Sequence, residues 1–259
     1  MARVELYCEA FAGYGILGCS ERQVVMSGAA GPVDVAGNVA RIRERMARAA
    51  ERSGRRPEGI RLVAASKQVE TARIREAIAA GITDVGENYV QEAAAKRSQI
   101  GEKARWHLIG HLQRNKAAQA ARIFDIIQTV DSPRLAEAIG QRAGTDGRTL
   151  SVLLQVNTSS EETKSGVGPE GLEGLLEAVM GMPGLRVEGL MTIGSLHPDP
   201  EQGRPEFRLL MELARAMQAR LGVEMGWLSM GMSHDFEVAI EEGATLVRIG
   251  TGIFGPRPG

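Results

Sequence analysis

The sequence predicts an α/β fold, a single (β/α)8 barrel spanning residues 33–259, and two observations carry that prediction. Eight short strand-like runs alternate with helical patterns, one helix to each gap. A further helical pattern precedes the first strand, and the chain nearly stops after the last, so this first helix can take the vacant eighth place in the ring. An open doubly wound sheet uses the same alternation. The spare first helix favours closure.

Residues 1–32 show no clear period and carry several glycines, and a poorly ordered N-terminal extension is expected there. It does not read as a secretory leader, because Glu5 and Glu9 break the apolar stretch and Arg3 is the only early cation. An upstream start, with Met26 as the natural beginning, is one reading. Residues 33–53 then place Val35, Val39, Ile42, Met46, Ala49 and Ala50 at helical spacing before Gly54. The arginines of this helix are interspersed with Glu44 and Glu51, which favours a solvated outer face over a nucleic-acid stripe.

Strands are expected at 61–66, 83–86, 105–109, 125–129, 150–156, 186–192, 226–230 and 245–249. Helices are expected near 71–80, 89–99, 115–122, 133–142, 169–180, 201–220 and 234–242. Gly81, Gly181, Gly222 and Gly243 stand at helix C-termini, where a left-handed residue suits. Asp131 and Ser132 can cap the helix that has Pro133 in its first turn, and Pro169 opens another. The longest loops are 158–168 and 194–200.

An apolar fraction of 43% and a charged fraction of 24% are ordinary and allow a packed core. A net charge of −1 gives no general attraction to nucleic acid or to an anionic membrane surface. No apolar run approaches the roughly 20 residues of a membrane span. Cys8 and Cys19 both lie in the first stretch and make no disulfide framework. A cytoplasmic monomer without nucleic-acid or membrane partners is expected.

The chemistry starts at Leu62-Val63-Ala64-Ala65-Ser66-Lys67, an apolar run that ends in one lysine. An ammonium held away from water is costly, and a desolvated amine at a strand end is a Schiff-base candidate. A lysine snorkelling into solvent is the other reading. After strand seven comes Ser229-Met230-Gly231-Met232-Ser233-His234-Asp235, with Ser233 expected at the N-cap of the next helix. After strand eight comes Arg248-Ile249-Gly250-Thr251-Gly252, with exposed backbone N–H groups and a hydroxyl. Two such turns on neighbouring strands form a credible anion cradle, although ordinary tight connections have the same composition. Gly250, Gly252 and Gly255 also match a dinucleotide fingerprint, which is rejected because only four residues follow.

If Val247 and Ile249 face the helices, Arg248 points into the barrel and needs an acceptor: a carboxylate, a phosphate or a heterocyclic nitrogen. A structural ion pair is the alternative. Asn88, at the end of strand two, suits a ligand contact or a helix cap. His107 and His111 have helical metal spacing but span a strand end, so no metal site is expected. Lys164-Ser165-Gly166 can close over a site or belong to a solvated loop. An amine, an anion cradle and an inward arginine on one rim suit a small aldehyde that carries a phosphate, and pyridoxal 5′-phosphate (PLP) is the obvious one.

Leu62–Lys67, the run 86–92, the run 106–116, Lys164-Ser165-Gly166, the run 228–233 and the run 247–255 together resemble the pyridoxal phosphate homeostasis protein family, from about residue 34 to the end. That family is similar to the N-terminal barrel domain of alanine racemase and lacks its C-terminal β-domain. The resemblance implies that Lys67 holds PLP covalently as a Schiff base. It also implies that Ser233, Gly250 and Thr251 bind the phosphate, that Arg248 contacts the cofactor near the ring nitrogen, and that Asn88 lies by the ring. It implies intracellular PLP storage and delivery, with apo PLP-dependent enzymes as recipients, and no established turnover. The departures are the N-terminal extension and His234, where an Asp or similar residue often follows Gly-Met-Ser.

A PLP-dependent amino-acid racemase is the alternative. It needs a second acid/base group on the opposite face of the substrate. In the racemase that group is a tyrosine from the partner's second domain, whereas the tyrosines here are Tyr7, Tyr14 and Tyr89. An arginine near the ring nitrogen also weakens the electron sink. An RNA-binding barrel using the basic first helix would bind with steep salt dependence, and the net charge gives it little support.

Overall fold

In this computed structural model the described residues are 33–256, apart from 160, 162 and 163. The expectations for 1–32, which include Cys8, Cys19, Tyr7, Tyr14 and Met26, lie outside the described residues.

Eight parallel strands close in sequence order into a barrel: β1 (Arg61–Ala65), β2 (Asp84–Glu87), β3 (Arg105–Leu108), β4 (Ile126–Val130), β5 (Leu150–Gln155), β6 (Leu185–Met191), β7 (Trp227–Ser229) and β8 (Leu246–Ile249). Each strand end falls within one residue of its expected place. The helices are α1 (Val35–Arg52), α2 (Thr71–Ala79), α3 (Val90–Ile100), α4 (Ala117–Ile123), α5 (Pro133–Thr145), α6 (Leu172–Met180), α7 (Arg204–Leu221), α8 (Phe236–Glu241) and α9 (Thr251–Phe254). The expected starts of the helices near 115, 169 and 201 are tight 3-10 turns at Arg114–Lys116, Pro169–Gly171 and Pro200–Gly203, each leading into an α-helix. The short α9 was not foreseen.

The strands read as near-continuous apolar runs because both of their faces are covered. Leu62, Ala64, Trp106, Leu108, Val247 and Ile249 are buried and alternate with the inward residues. Register identifies the inward set. Val63 pairs with Asp84 on one side and Arg248 on the other, and Gly86 pairs with His107. Parallel partners share a face. The barrel interior is therefore unusually polar, with Asp84, His107, Gln128, Ser229 and Arg248 all buried.

Helix α1 closes the ring as expected. Asp34 Oδ1 caps it by accepting from the Gly37 N–H at 2.8 Å. Arg45 makes two 2.8 Å bonds to Glu237 of α8, and Asn38 Nδ2 donates to the Ile253 carbonyl of α9 at 2.8 Å. On its other flank Arg43 donates to the carbonyls of Ala80 and Gly81 at the end of α2. The arginine-rich face is thus more than a solvated surface, since several of its guanidinium groups bind neighbouring helices. Helix ends follow the sequence unevenly. Gly222 ends α7 in the left-handed conformation with φ 66°, but Gly181 ends α6 at φ −84°, open to any residue. Ser132 holds the N-cap position of α5 without a side-chain cap bond.

Candidate functional site

Strand β1 stops at Ala65, one residue before the expected end, and Lys67 lies in the turn beyond it. Lys67 is half-buried rather than desolvated, and its Nζ stands 5.2 Å from the centroid of the Tyr89 ring. It makes no hydrogen bond or ion pair among the described residues. The next residue, Gln68, has φ 61° and is the one non-glycine residue with positive φ among those described. Such a conformation costs about 1 kcal/mol and persists only where neighbours impose it.

The imposing neighbours lie directly beneath. Glu92 Oε1 accepts from the Gln68 N–H at 2.7 Å. Lys96 Nζ reaches Glu92 Oε1 at 2.7 Å, Glu87 Oε1 at 2.6 Å and the Ser66 carbonyl at 2.6 Å. Ser66 Oγ donates to Glu87 Oε1 at 2.5 Å. Burial pushes the Glu87 carboxyl up, against the pull of Lys96 and Ser66. Sequence reasoning missed this cluster. Its only signal was the i,i+4 spacing of Glu92 and Lys96 on α3.

The turns after β7 and β8 meet at Ser233. Its Oγ accepts from the N–H groups of Gly250 at 3.3 Å and Gly252 at 3.2 Å. The N-cap of α8 is Asp235, so Ser233 is not the cap that was expected. Gly250 lies against β1: a Cβ there would stand 3.2 Å from the Ala65 carbonyl oxygen. The turn after β8 and the Lys67 turn therefore adjoin. Thr251 is exposed at the start of α9.

Arg248 points inward, as alternation required, and is 4% exposed. Its Nη1 donates to Ser229 Oγ at 2.6 Å and its Nη2 to the Thr192 carbonyl at 2.8 Å. It has no carboxylate partner within ion-pair distance among the described residues, so the ion-pair reading is set aside. Burial lowers its pKa to about 10, with the charge of Asp235 opposing, and it stays a cation at neutral pH. Asn88 is half-buried between β2 and α3, whose N-cap is Tyr89, so Asn88 is not a cap. With Tyr89, His111 and Lys116 it lines a rim cavity of about 460 Å³.

The structure separates the two histidines. His107 lies inside the barrel with Nε2 2.8 Å from Asp84 Oδ1, while His111 is exposed on the rim. Lys164 ties loop 158–168 to loop 194–200, with Nζ 3.3 Å from the Gly194 carbonyl oxygen and 3.2 Å from Ser195 Oγ. The partners of Arg248 were also missed. Their only signal was a polar residue at an inward position of an apolar strand, as in Ile126-Ile127-Gln128.

Two interior groups predict acid sensitivity. Burial lowers the His107 pKa below its ordinary 6.5. Burial works against the Asp84 carboxylate, but hydrogen bonds from His107, Thr83 and Arg105 outweigh it and hold the pKa at about 2, below the ordinary 3.8. For both, the unfolded chain takes up protons before the folded one. Their stabilisation is present above the unfolded values and is lost as pH falls, below 6.5 for His107 and between 3.8 and about 2 for Asp84. Chemical denaturation across pH should show this decline, and His107→Gln should flatten its first part. A wild-type curve with no decline below 6.5 would contradict the assignment of a neutral His107.

A closed barrel of eight parallel strands in this order belongs to a defined class: residues 37–258 match the family described as alanine racemase, N-terminal domain. The pyridoxal phosphate homeostasis protein of Aquifex aeolicus (strain VF5) is 44% identical over 220 residues, 85% of this chain and 96% of that protein. A crystal structure of an unknown protein from Bifidobacterium adolescentis is 38% identical, with a TM-score of 0.80 over 85% of this chain and 94% of that one. The structure of PipY of Synechococcus elongatus PCC7942, with PLP bound, is 35% identical, with a TM-score of 0.75 over 85% of this chain and all of that one. The chain belongs to the pyridoxal phosphate homeostasis protein family.

Proposed function

We propose that the barrel of residues 33–259 binds PLP on its C-terminal rim and serves intracellular PLP storage and delivery. The observation that carries this reading is the junction of the Lys67 turn with the Ser233 cradle across β1, β8 and β7. The residues fit the group. The N–H groups of Gly250 and Gly252 meet at the Ser233 hydroxyl, which accepts from both and keeps its own proton to donate to an anion. Gly250 approaches β1 so closely that an added Cβ would stand 3.2 Å from the Ala65 carbonyl oxygen.

In this reading Ser233, Gly250 and Thr251 hold the phosphate, Arg248 offers N–H donors to the ring nitrogen, and Asn88 lies by the ring. Lys67 Nζ condenses with the aldehyde carbon, one water leaves, and a Schiff base holds the cofactor covalently. PLP supplies a reactive aldehyde and, in enzymes, an electron sink. A PLP-bound structure of a 35% identical protein and the homeostasis role named for the relatives support the assignment.

The same geometry favours a carrier over a racemase. Tyr89, the one tyrosine among the described residues, stands beside Lys67 with its ring centroid 5.2 Å from Nζ, and not apart from it as an acid on the opposite face of a substrate would. The recipients are apo PLP-dependent enzymes, and the carrier acts as a cytoplasmic monomer. Alanine α-proton exchange by the purified protein at ordinary enzyme rates would contradict the carrier role. Titration of cofactor-free protein with PLP, followed by visible absorption, should saturate. Ser233→Ala should weaken uptake about tenfold, the effect of losing one bond to a charged group, and inorganic phosphate should compete with PLP. Equal affinity in Ser233→Ala, with no competition by phosphate, would remove the cradle from the account.

A further inference from the structure

Five side chains from five strands form one hydrogen-bonded chain across the barrel interior. Arg248 Nη1 on β8 donates to Ser229 Oγ on β7 at 2.6 Å, and Ser229 Oγ donates to Gln128 Oε1 on β4 at 2.6 Å. Gln128 Nε2 meets His107 Nδ1 on β3 at 2.8 Å, and His107 Nε2 meets Asp84 Oδ1 on β2 at 2.8 Å. All five residues are 4% exposed or less.

The two ends set the direction of the chain. A guanidinium only donates, and an ionised carboxylate only accepts. Burial keeps His107 neutral, so its one proton sits on Nε2 toward Asp84 and leaves Nδ1 as an acceptor. The Gln128 amide must then turn its NH2 to His107 and its oxygen to Ser229. Ser229 in turn accepts from Arg248 and passes its own proton on. Each link has one orientation, and removing any link strands two buried polar atoms.

The upper end of the chain is the planar guanidinium. Nη1 is fixed by Ser229 and Nη2 by the Thr192 carbonyl, so two of its five N–H groups are committed and its plane is set. The remaining donors have no acceptor among the described residues. We propose that Ser229, Gln128, His107 and Asp84 are positioning residues that fix the plane and direction of the Arg248 guanidinium, so that its free donors meet a heterocyclic nitrogen at the rim. This rests on the PLP reading above. A buried network that served stability alone would have no reason to end on a cation with unused donors two residues before Gly250.

The test compares wild type, Gln128→Met, Ser229→Ala and Arg248→Met with two ligands: PLP and its analogue with CH in place of the ring nitrogen. Wild type should prefer PLP. Gln128→Met and Ser229→Ala, which both retain Arg248, should lose about tenfold of that preference, with analogue affinity unchanged. In cofactor-free protein, 15N NMR should show slow rotation of the Arg248 guanidinium in wild type and faster rotation in both variants. If Arg248→Met loses the preference while the other two keep it, the chain is merely structural and the proposal is overturned. Failure of both Gln128→Met and Ser229→Ala to fold would overturn it in the same way. If Arg248→Met keeps the preference while Lys67 still takes up PLP, the ring contact is wrong and the positioning role goes with it, but the PLP reading stands. Uptake of neither ligand by wild type would remove the PLP reading itself.

Discussion

Lys67→Ala abolishes covalent cofactor attachment and leaves the cofactor-free protein nearly as stable as wild type. The first half follows from position. Among the described residues, Lys67 is the amine in the turn that adjoins the Ser233 cradle, and it is not engaged in a hydrogen bond or ion pair there. The second half follows from what Lys67 touches. Its ammonium stands over Tyr89 at 5.2 Å, a contact worth about 0.5 to 1 kcal/mol at a partly exposed site. No buried partner is stranded when it leaves. Thermal unfolding of cofactor-free wild type and variant should therefore differ by only a few degrees, while borohydride fixes PLP to wild type alone. A large loss of Tm in the cofactor-free variant would mean that Lys67 belongs to the core.

Lys96→Met has the opposite signature. Lys96 is buried and satisfies Glu87, Glu92 and the Ser66 carbonyl together. Removing one partner of a buried ion pair costs about 3 to 5 kcal/mol, because the remaining charge has no water. Methionine keeps most of the volume, so the loss is electrostatic and not a cavity effect. Denaturant unfolding should show a drop of this size, and adding Glu87→Gln should recover part of it by removing the stranded charge. The same variant should loosen the Lys67 turn, since Glu92 holds the Gln68 N–H. A Lys96→Met protein as stable as wild type would show that the cluster contributes little.

The contrast between these two lysines shows what the sequence could and could not convey. Lys67 stood out because it ends an apolar run, a local pattern. Lys96 lies in Val90-Gln91-Glu92-Ala93-Ala94-Ala95-Lys96, where it reads as an ordinary helix surface residue. It is buried only because α3 crosses the end of β2. The barrel itself was legible, since alternation of buried strands with helices admits few closures and a spare first helix selects one. The inward direction of Arg248 followed from Val247 and Ile249. Its partners did not, because Ser229 and Gln128 are brought together across 101 residues by closure of the sheet. Ser233 joins the turns after β7 and β8, but not as the helix cap that was expected. The expected role as a cap depended on where α8 begins, and that helix starts two residues later than expected, at Phe236, leaving the hydroxyl to accept from Gly250 and Gly252.

The most direct test of the central claim is borohydride reduction of PLP-loaded protein followed by peptide mass analysis. The expected result is a yellow protein whose visible absorption shifts on reduction, with a single reduced adduct on the peptide that contains Lys67. A colourless protein with no adduct, or an adduct confined to another lysine such as Lys96 or Lys164, would contradict it.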